Sequence, residues 1–292
     1  MKILLTGATG FVGSELLQIL PDRGIKIIPT GHSKTDNFKN IKKLDLTDFA
    51  KTNQYIKSIS PNVVLHLAGN KDVLKCEADK AFSRKINFEA SENLISLCFE
   101  NKIKLIYIST DYIFEGVSGH YNEFSVPKPT TQYGKDKLAV ENLIKNKLTD
   151  FTIVRTAGIF GMRNDFVDLV WTKLKHKEKF HAYVNLKNSP TYIKDFAIML
   201  VAIIKNDHQG TFHCAGSESL SRYDFALKIA EHFIFDKSLI VPEELNHSKD
   251  PRPADLTMDC ARTYKILDYY PKNILEILKS NYKSKRNEVL NS

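Results

Sequence analysis

The chain is 292 residues long, 42% hydrophobic and 26% charged, with a formal net charge of +8. This is the composition of a soluble globular protein with enough chain for a sizeable core in one large domain or two small ones, and no uninterrupted apolar stretch reaches the length of a membrane span. The lysines are spread along the whole chain, which suits a solvated basic surface or an anionic ligand such as a nucleotide or nucleotide sugar, and no nucleic-acid recognition motif accompanies them.

Ile3, Leu4 and Leu5 form an apolar run without alternation, the pattern of a strand buried on both faces of a parallel sheet. Gly7, Gly10 and Gly13 follow at three-residue spacing, and Phe11, Val12, Leu16, Leu17 and Leu20 then recur at helical spacing up to Pro21. Strand, glycine turn and helix in this order predict a dinucleotide site. Gly7 permits the tight turn, Gly10 lets a pyrophosphate approach the backbone, and Gly13 lets the helix pack on the sheet. The N–H groups that open the helix face the phosphates, and Thr9, Phe11 and Val12 join the glycines as expected cofactor contacts. The short apolar start, broken by glycines, predicts no secretory signal.

A second strand is expected over 25–28, running into the polar stretch that holds His32, Ser33 and Lys34. No Asp or Glu closes it, where an NAD-binding protein bonds the ribose hydroxyls; the donors and positive charge of His32, Ser33 and Lys34 suit a 2′-phosphate instead. NADP is therefore favoured, with NAD as the alternative. A third strand over 41–46 ends at Asp45 and Leu46, and a helix follows over 47–58. The fourth strand, 62–70, ends in Leu67, Ala68 and Gly69, small enough at Ala68 and Gly69 for a cofactor ribose and pyrophosphate to lie against the backbone. His66 falls inside its apolar run and reads as a satisfied core histidine. A crossover helix over 81–100 and a fifth strand over 104–111 continue the alternation, which predicts an α/β fold with a doubly wound parallel sheet and right-handed crossovers.

Two stretches hold reactive groups. Ser109, Thr110, Asp111 and Tyr112 stand at a strand's C-terminal end, where open α/β sheets place their ligands. The stretch 132–148 reads as helix, which sets Tyr133 and Lys137 one turn apart on one face. Reduction of a ketone needs a hydride donor, a proton donor and a group that polarises the carbonyl. A tyrosine can donate the proton, a neighbouring lysine can stabilise the phenolate and hold the nicotinamide ribose, and Thr110 can orient the substrate oxygen.

A sixth strand is expected over 151–155. Beyond it the spacing predicts a helix over 166–174, a short strand over 180–184, a helix over 195–205, a strand over 210–214, and a helix over 220–233 capped by Ser221. These segments divide into a cofactor-binding domain (1–156 with about 190–216), a smaller mixed α/β substrate lobe (about 157–189 with 217–283) and a polar tail (284–292). Arg155, Arg163 and Arg252 are candidates for diphosphate contacts, because a guanidinium fork suits phosphate oxygens. Cys76, Cys98, Cys214 and Cys260 are scattered without metal-ligand spacing, which predicts no metal site and reduced thiols in a cytoplasmic protein.

The glycine triplet in the form Thr-Gly-Ala-Thr-Gly-Phe-Val-Gly, the Ser-Thr strand end and Tyr133 with Lys137 resemble the extended short-chain dehydrogenase/reductases. Within them the chain is most similar to the dTDP-4-dehydrorhamnose reductases, through residues 109–114, 133–139, Arg155 and Thr156 with Gly161, 189–195, 213–216, and Arg252 with Pro253. The resemblance implies a Rossmann-type sheet and an NAD(P)H-dependent reduction at C4 of a nucleotide-linked 4-keto-6-deoxy sugar. It implies catalytic roles for Thr110, Asp111, Tyr133 and Lys137, adenine contacts at Asp45 and Leu46, and bracing of the active-site strands by Asn87. Asn70, Thr110, Asp111, Arg155, Gly158 and Arg252 are expected at the substrate.

Some positions depart from that pattern. The reductases usually have an aromatic residue, which packs on the sugar, where this chain has Gly158. Their Asn-Phe pair is Asp165-Phe166 here, and only part of their loop over 70–77 is kept. Asp111 is followed by Tyr112 rather than by the second carboxylate of the sugar-nucleotide dehydratases, which favours reduction over elimination. Two alternatives share the resemblance: a non-catalytic NADP-binding subunit like the regulatory subunit of methionine adenosyltransferase, and a sugar-nucleotide epimerase. A homodimer is compatible with the sequence.

Overall fold

The computed structural model describes residues 1–22, 24–32, 40–161 and 164–290; Ser33, Lys34 and Arg163 lie outside the described residues. The chain begins with β1 (Ile3–Thr6), α1 (Phe11–Asp22), β2 (Ile27–Gly31), β3 (Lys42–Lys43), α2 (Phe49–Ile59) and β4 (Val63–His66). Next come α3 (Val73–Ala78), α4 (Lys80–Ser83), α5 (Ala90–Asn101), β5 (Lys104–Thr110), α6 (Gln132–Lys147) and β6 (Phe151–Thr156). The second half adds β7 (Ile159–Phe160), α7 (Phe166–Lys175), β8 (Phe180–Tyr183), β9 (Lys187–Asn188), β10 (Thr191–Tyr192), α8 (Ile193–Lys205) and β11 (Gly210–His213). It closes with β12 (Leu220–Ser221), α9 (Arg222–Phe233), β13 (Ile240–Glu243), α10 (Ala261–Leu267), α11 (Ile274–Asn281) and α12 (Lys283–Leu290).

Seven strands form one sheet in the order β11-β6-β5-β4-β1-β2-β3, and every pairing in it is parallel. The chain winds outward from β1 to β3 and then crosses to the other side of β1 at β4. The sheet therefore reverses between β1 and β4, where a doubly wound fold opens a ligand crevice. Side chains alternate between two apolar layers. Ile3, Leu5, Leu65 and Val154 pack with α1 and α8, while Leu4, Val64, Leu105 and Ile153 pack with α5 and α6. Both faces are dry, which is why these strands read as continuous apolar runs.

The part of the chain outside this sheet is built around short strand pairs: β7 with β10 and β8 with β13, both parallel, and β9 with β12, antiparallel. Its core is aromatic, with Phe225 5.2 Å from both Phe160 and Phe166 between ring centres. That core is continuous with the α1–α8 layer of the sheet. Ser221 and Asp224 close a reciprocal cap at the start of α9. No helix among the described residues is long and apolar enough to cross a membrane.

Three expectations change. The strand expected over 41–46 shrinks to Lys42–Lys43, because Asp45 turns its carboxylate onto Thr47 N at 2.9 Å and ends the strand. The single helix expected over 81–100 is interrupted by a wider π-helical turn at Arg84–Glu89. Inside it, Asn87 Nδ2 donates to Ser83 Oγ at 3.3 Å, and Ser83 Oγ donates to Asp136 at 2.6 Å. The polar tail expected over 284–292 is helical as far as Leu290, held by an ion pair between Lys285 and Asp168 and by the Lys285 ammonium 4.9 Å above the Trp171 ring.

Candidate functional site

One cleft of about 1240 Å³ runs along the C-terminal ends of the central strands. A pocket for a single small molecule measures about 300–1,000 Å³, so this cleft has room for two. Gly7, Gly10, Phe11, Val12 and Gly13 line one end. Gly7 has φ +71, and a Cβ there would come within 2.8 Å of Ala68 N. A Cβ on Gly13 would collide with the Gly7 carbonyl. Glycine is therefore required at both positions, and the opening of α1 is left bare toward the cleft.

Leu67, Gly69 and Asn70 continue the wall from β4. Asn87 fixes this loop from behind: its Oδ1 accepts from Asn70 N at 2.7 Å and its Nδ2 donates to Asn70 O at 3.1 Å. The π-helical turn brings Asn87 to this position, a distortion that recurs at functional sites. His66 points into the core, 2.7 Å from Thr6 Oγ1 and 2.9 Å from Ser91 Oγ, and burial holds its pKa down to about 3.

Thr110, Asp111, Tyr112, Tyr133 and Lys137 meet midway along the cleft. Thr131 caps α6 by accepting from Gly134 N at 3.1 Å, which starts the helix with Tyr133 in its first turn. The Thr110 hydroxyl donates to Asp111 Oδ1 at 2.9 Å. It also faces the Tyr133 phenol closely enough to favour its ionised form, but burial outweighs this and raises the Tyr133 pKa above the ordinary phenol value. Burial likewise raises Asp111 to about 7 and lowers Lys137 to about 8. The Lys137 ammonium donates to the Ile108 carbonyl at 2.9 Å and lies 4.6 Å from the Tyr107 ring centre. Tyr112 stands nearly edge-on to Tyr133, 5.8 Å between ring centres. Three buried oxygens of cleft-lining residues have no partner among the described residues: Ser109 Oγ, Asp111 Oδ2 and Thr156 Oγ1. Buried polar groups are rarely left unpartnered, and these three all belong to residues of the cleft wall.

Thr9, His32, Asp45, Leu46 and Ala68 are not part of the cleft wall. Thr9 packs beneath Gly31, where an added Cβ would lie 2.6 Å from the Thr9 side chain. His32 Nε2 approaches Asp45 Oδ2 at 3.8 Å, and both side chains are exposed beyond the glycine loop. Leu46 is buried in the layer with α2, and Ala68 N lies behind the loop, 3.4 Å from Thr6 Oγ1.

Gly158 and Arg252 line the far half of the cleft. Gly158 has φ +43, and a Cβ there would stand 2.5 Å from Asn188 Nδ2. Arg252 is held by Asp250, with Nη2 2.7 Å from Oδ2 and Nε 2.9 Å from Oδ1.

Arg155, expected at the substrate, is not there. It is fully buried, with Nη2 2.7 Å from Glu141 Oε2, Nε 3.0 Å from Glu141 Oε1 and Nη1 3.2 Å from His213 Nε2. It is a structural cation that joins α6 to the sheet. The cleft also contains Arg222 and Lys71, which sequence reasoning passed over, and Phe166, which it noted only as part of a departure from the reductase pattern. Arg222 had one readable signal. It is the first residue of α9, and a cation at that positive end of the helix dipole is disfavoured unless something else selects it.

The dTDP-4-dehydrorhamnose reductase of Bacillus anthracis, solved in complex with NADP, superposes with a TM-score of 0.86 at 26% identity, covering 97% of this chain and 99% of that one. A hypothetical dTDP-4-dehydrorhamnose reductase from Sulfolobus tokodaii is 32% identical with a TM-score of 0.83, covering 94% of this chain and 98% of that one. The methionine adenosyltransferase 2 subunit beta of Xenopus tropicalis is 27% identical over 276 residues, 91% of this chain and 82% of its own length. The family described as the RmlD substrate binding domain matches residues 1–286, and the chain belongs to it.

Proposed function

We propose that this chain is an NADPH-dependent reductase of a nucleotide-linked keto sugar, with 4-keto-6-deoxy sugars as the expected class. One observation carries this reading: the glycine loop, Thr110, Tyr133 and Lys137 open onto the same cleft. The NADP complex of the Bacillus relative supports the choice of cofactor. The residues present fit that cofactor. Gly7, Gly10, Phe11, Val12, Gly13 and the bare start of α1 would hold the pyrophosphate. Gly69 and Lys137 would hold the ribose, and the orphaned hydroxyls of Ser109 and Thr156 would meet polar atoms deeper in the cleft. When bound, NADPH supplies the hydride.

The protein's own groups handle the proton. Tyr133, kept protonated by burial, donates its phenolic proton to the carbonyl oxygen as that oxygen gains charge. Thr110 orients the same oxygen by hydrogen bonding. Lys137 places a cation near the phenolate that results. Asp111, raised by burial to about 7, would return a proton to Tyr133 if the Thr110 hydroxyl turned from Asp111 Oδ1 onto the phenolate and accepted the proton of the acid in its place. A tyrosine that stays protonated suits reduction better than the reverse oxidation, which would need the phenolate at the start.

A panel of dTDP-, UDP- and GDP-linked 4-keto-6-deoxy sugars, with NADPH absorbance and product stereochemistry followed together, tests the reading. Net NADPH consumption with formation of a 4-hydroxy sugar is expected. NADPH binding without consumption on any sugar would instead favour an associating subunit, the reading suggested by the likeness to methionine adenosyltransferase 2 subunit beta. Inversion without net consumption would identify an epimerase.

A further inference from the structure

Arg155 and Arg222 contrast sharply within one molecule. Arg155 is clear of the cleft and forked onto Glu141. Arg222 lines the cleft, and among the described residues its guanidinium makes no ion pair; its guanidinium carbon lies 4.9 Å from the centre of the Phe166 ring. Arg252 lines the same part of the cleft but is already held by Asp250, and it lies 5.5 Å from the Tyr183 ring centre. Arg222, Arg252 and Tyr112 are near enough to perturb one another electrostatically. The other acid in range of Arg222 is Asp111, whose Oδ1 is taken by Thr110 and whose burial favours the neutral acid. Of these two guanidinium groups, only Arg252 has a carboxylate partner, Asp250. A cation left unpaired in a partly buried site costs free energy until an anion meets it.

We infer that Arg222 is a specificity-determining residue that takes up an anionic oxygen group of the substrate, either a phosphate of a diphosphate bridge or a carboxylate on the sugar. That the anion belongs to a substrate rests on the reductase reading; the anion site stands on Arg222 itself. A guanidinium presents parallel N–H donors that match the two oxygens of either group. Its neighbours Asp111 and Tyr112 adjoin Thr110 and Tyr133, so the anion is held on the side of the cleft where the chemistry occurs. Arg252, fixed in place by Asp250, forms the second prong.

Calorimetric titration of the NADP-saturated full chain tests this. The ligands are dTDP, UDP and GDP, the matching nucleosides, and UDP-glucose against UDP-glucuronate. The proteins are wild type, Arg222→Gln and Arg222→Lys. Loss of one charge-assisted contact is expected to weaken binding by about 10- to 100-fold in Arg222→Gln, with partial recovery in Arg222→Lys and unchanged NADPH affinity in both. Equal weakening of every diphosphate, with nucleosides unaffected, identifies the phosphate source. Weakening of UDP-glucuronate alone identifies the carboxylate source. Wild-type affinities in Arg222→Gln, or no binding of any of these ligands by wild type, overturns the inference. Arg222-dependent diphosphate binding without turnover of any keto sugar would retain the anion site and remove the reductase reading; unchanged binding with normal turnover would do the opposite.

Discussion

Thr110 Oγ1 donates to Asp111 Oδ1 at 2.9 Å, while the other oxygen of that carboxylate is buried with no partner among the described residues. One hydroxyl does not offset the desolvation of a carboxylate, so the acid is held neutral to about pH 7. The group faces the cleft, and its cost to the fold is retained where it can serve the reaction.

This cost gives a signed stability prediction. The native pKa of Asp111 lies above its ordinary value of 3.8, so between about pH 4 and 7 the native state keeps a proton that the unfolded chain releases. Stability from this group is intact below pH 4 and is lost as pH rises through 7. Asp111→Asn keeps an acceptor for Thr110 and removes the titration. Thermal unfolding should show the variant more stable than wild type above pH 7, by on the order of 2–4 kcal/mol, with the gain vanishing toward pH 4. A gain that does not change with pH would contradict the assignment.

Lys137 is expected to set an upper pH limit for activity. Its native pKa is lowered to about 8 from 10.5, so the free protein loses this cation as pH rises through 8. If the cation holds the ribose and the phenolate, kcat/KM for the keto sugar should fall above pH 8, since that ratio reports groups in the free enzyme. Stability moves the other way: the native penalty for charging Lys137 is fully present below pH 8 and relaxes between 8 and 10.5. A kcat/KM profile flat to pH 9.5 would remove Lys137 from the role.

Arg155→Ala should act on the fold rather than on substrate. It strips Glu141 of the fork that neutralises it, and uncovering a buried charge costs about 3–5 kcal/mol. Denaturant midpoints should drop accordingly, while the KM of the fraction that stays folded is unchanged. A raised KM at wild-type stability would return Arg155 to the substrate.

The parts read correctly from sequence are those whose cause is local. Gly7 and Gly13 declare themselves because only glycine fits their backbone. Tyr133 and Lys137 share a face because α6 is a regular helix with a cap at Thr131. The strands read as apolar runs because both sheet faces are covered. What was missed depends on partners far along the chain. Arg155 looks like a ligand-binding cation in sequence, and only the return of α6 against β6 supplies Glu141. Arg222 offers in sequence only its place at the start of α9, and its role emerges when that helix sets it against Phe166 in the cleft wall. The π-helical turn at Asn87 follows from hydrogen bonds to Asn70 and Ser83 that no periodicity encodes.

The most direct test of the account is Tyr133→Phe with the best keto sugar from the panel, measuring turnover and NADPH binding side by side. The account predicts that kcat falls by about 100- to 10,000-fold, the usual share of general acid catalysis, while the NADPH dissociation constant stays within about twofold of wild type, because the ring and its packing against Val73 and Cys76 remain. Turnover equal to wild type in the phenylalanine variant would mean that Tyr133 does not supply the proton.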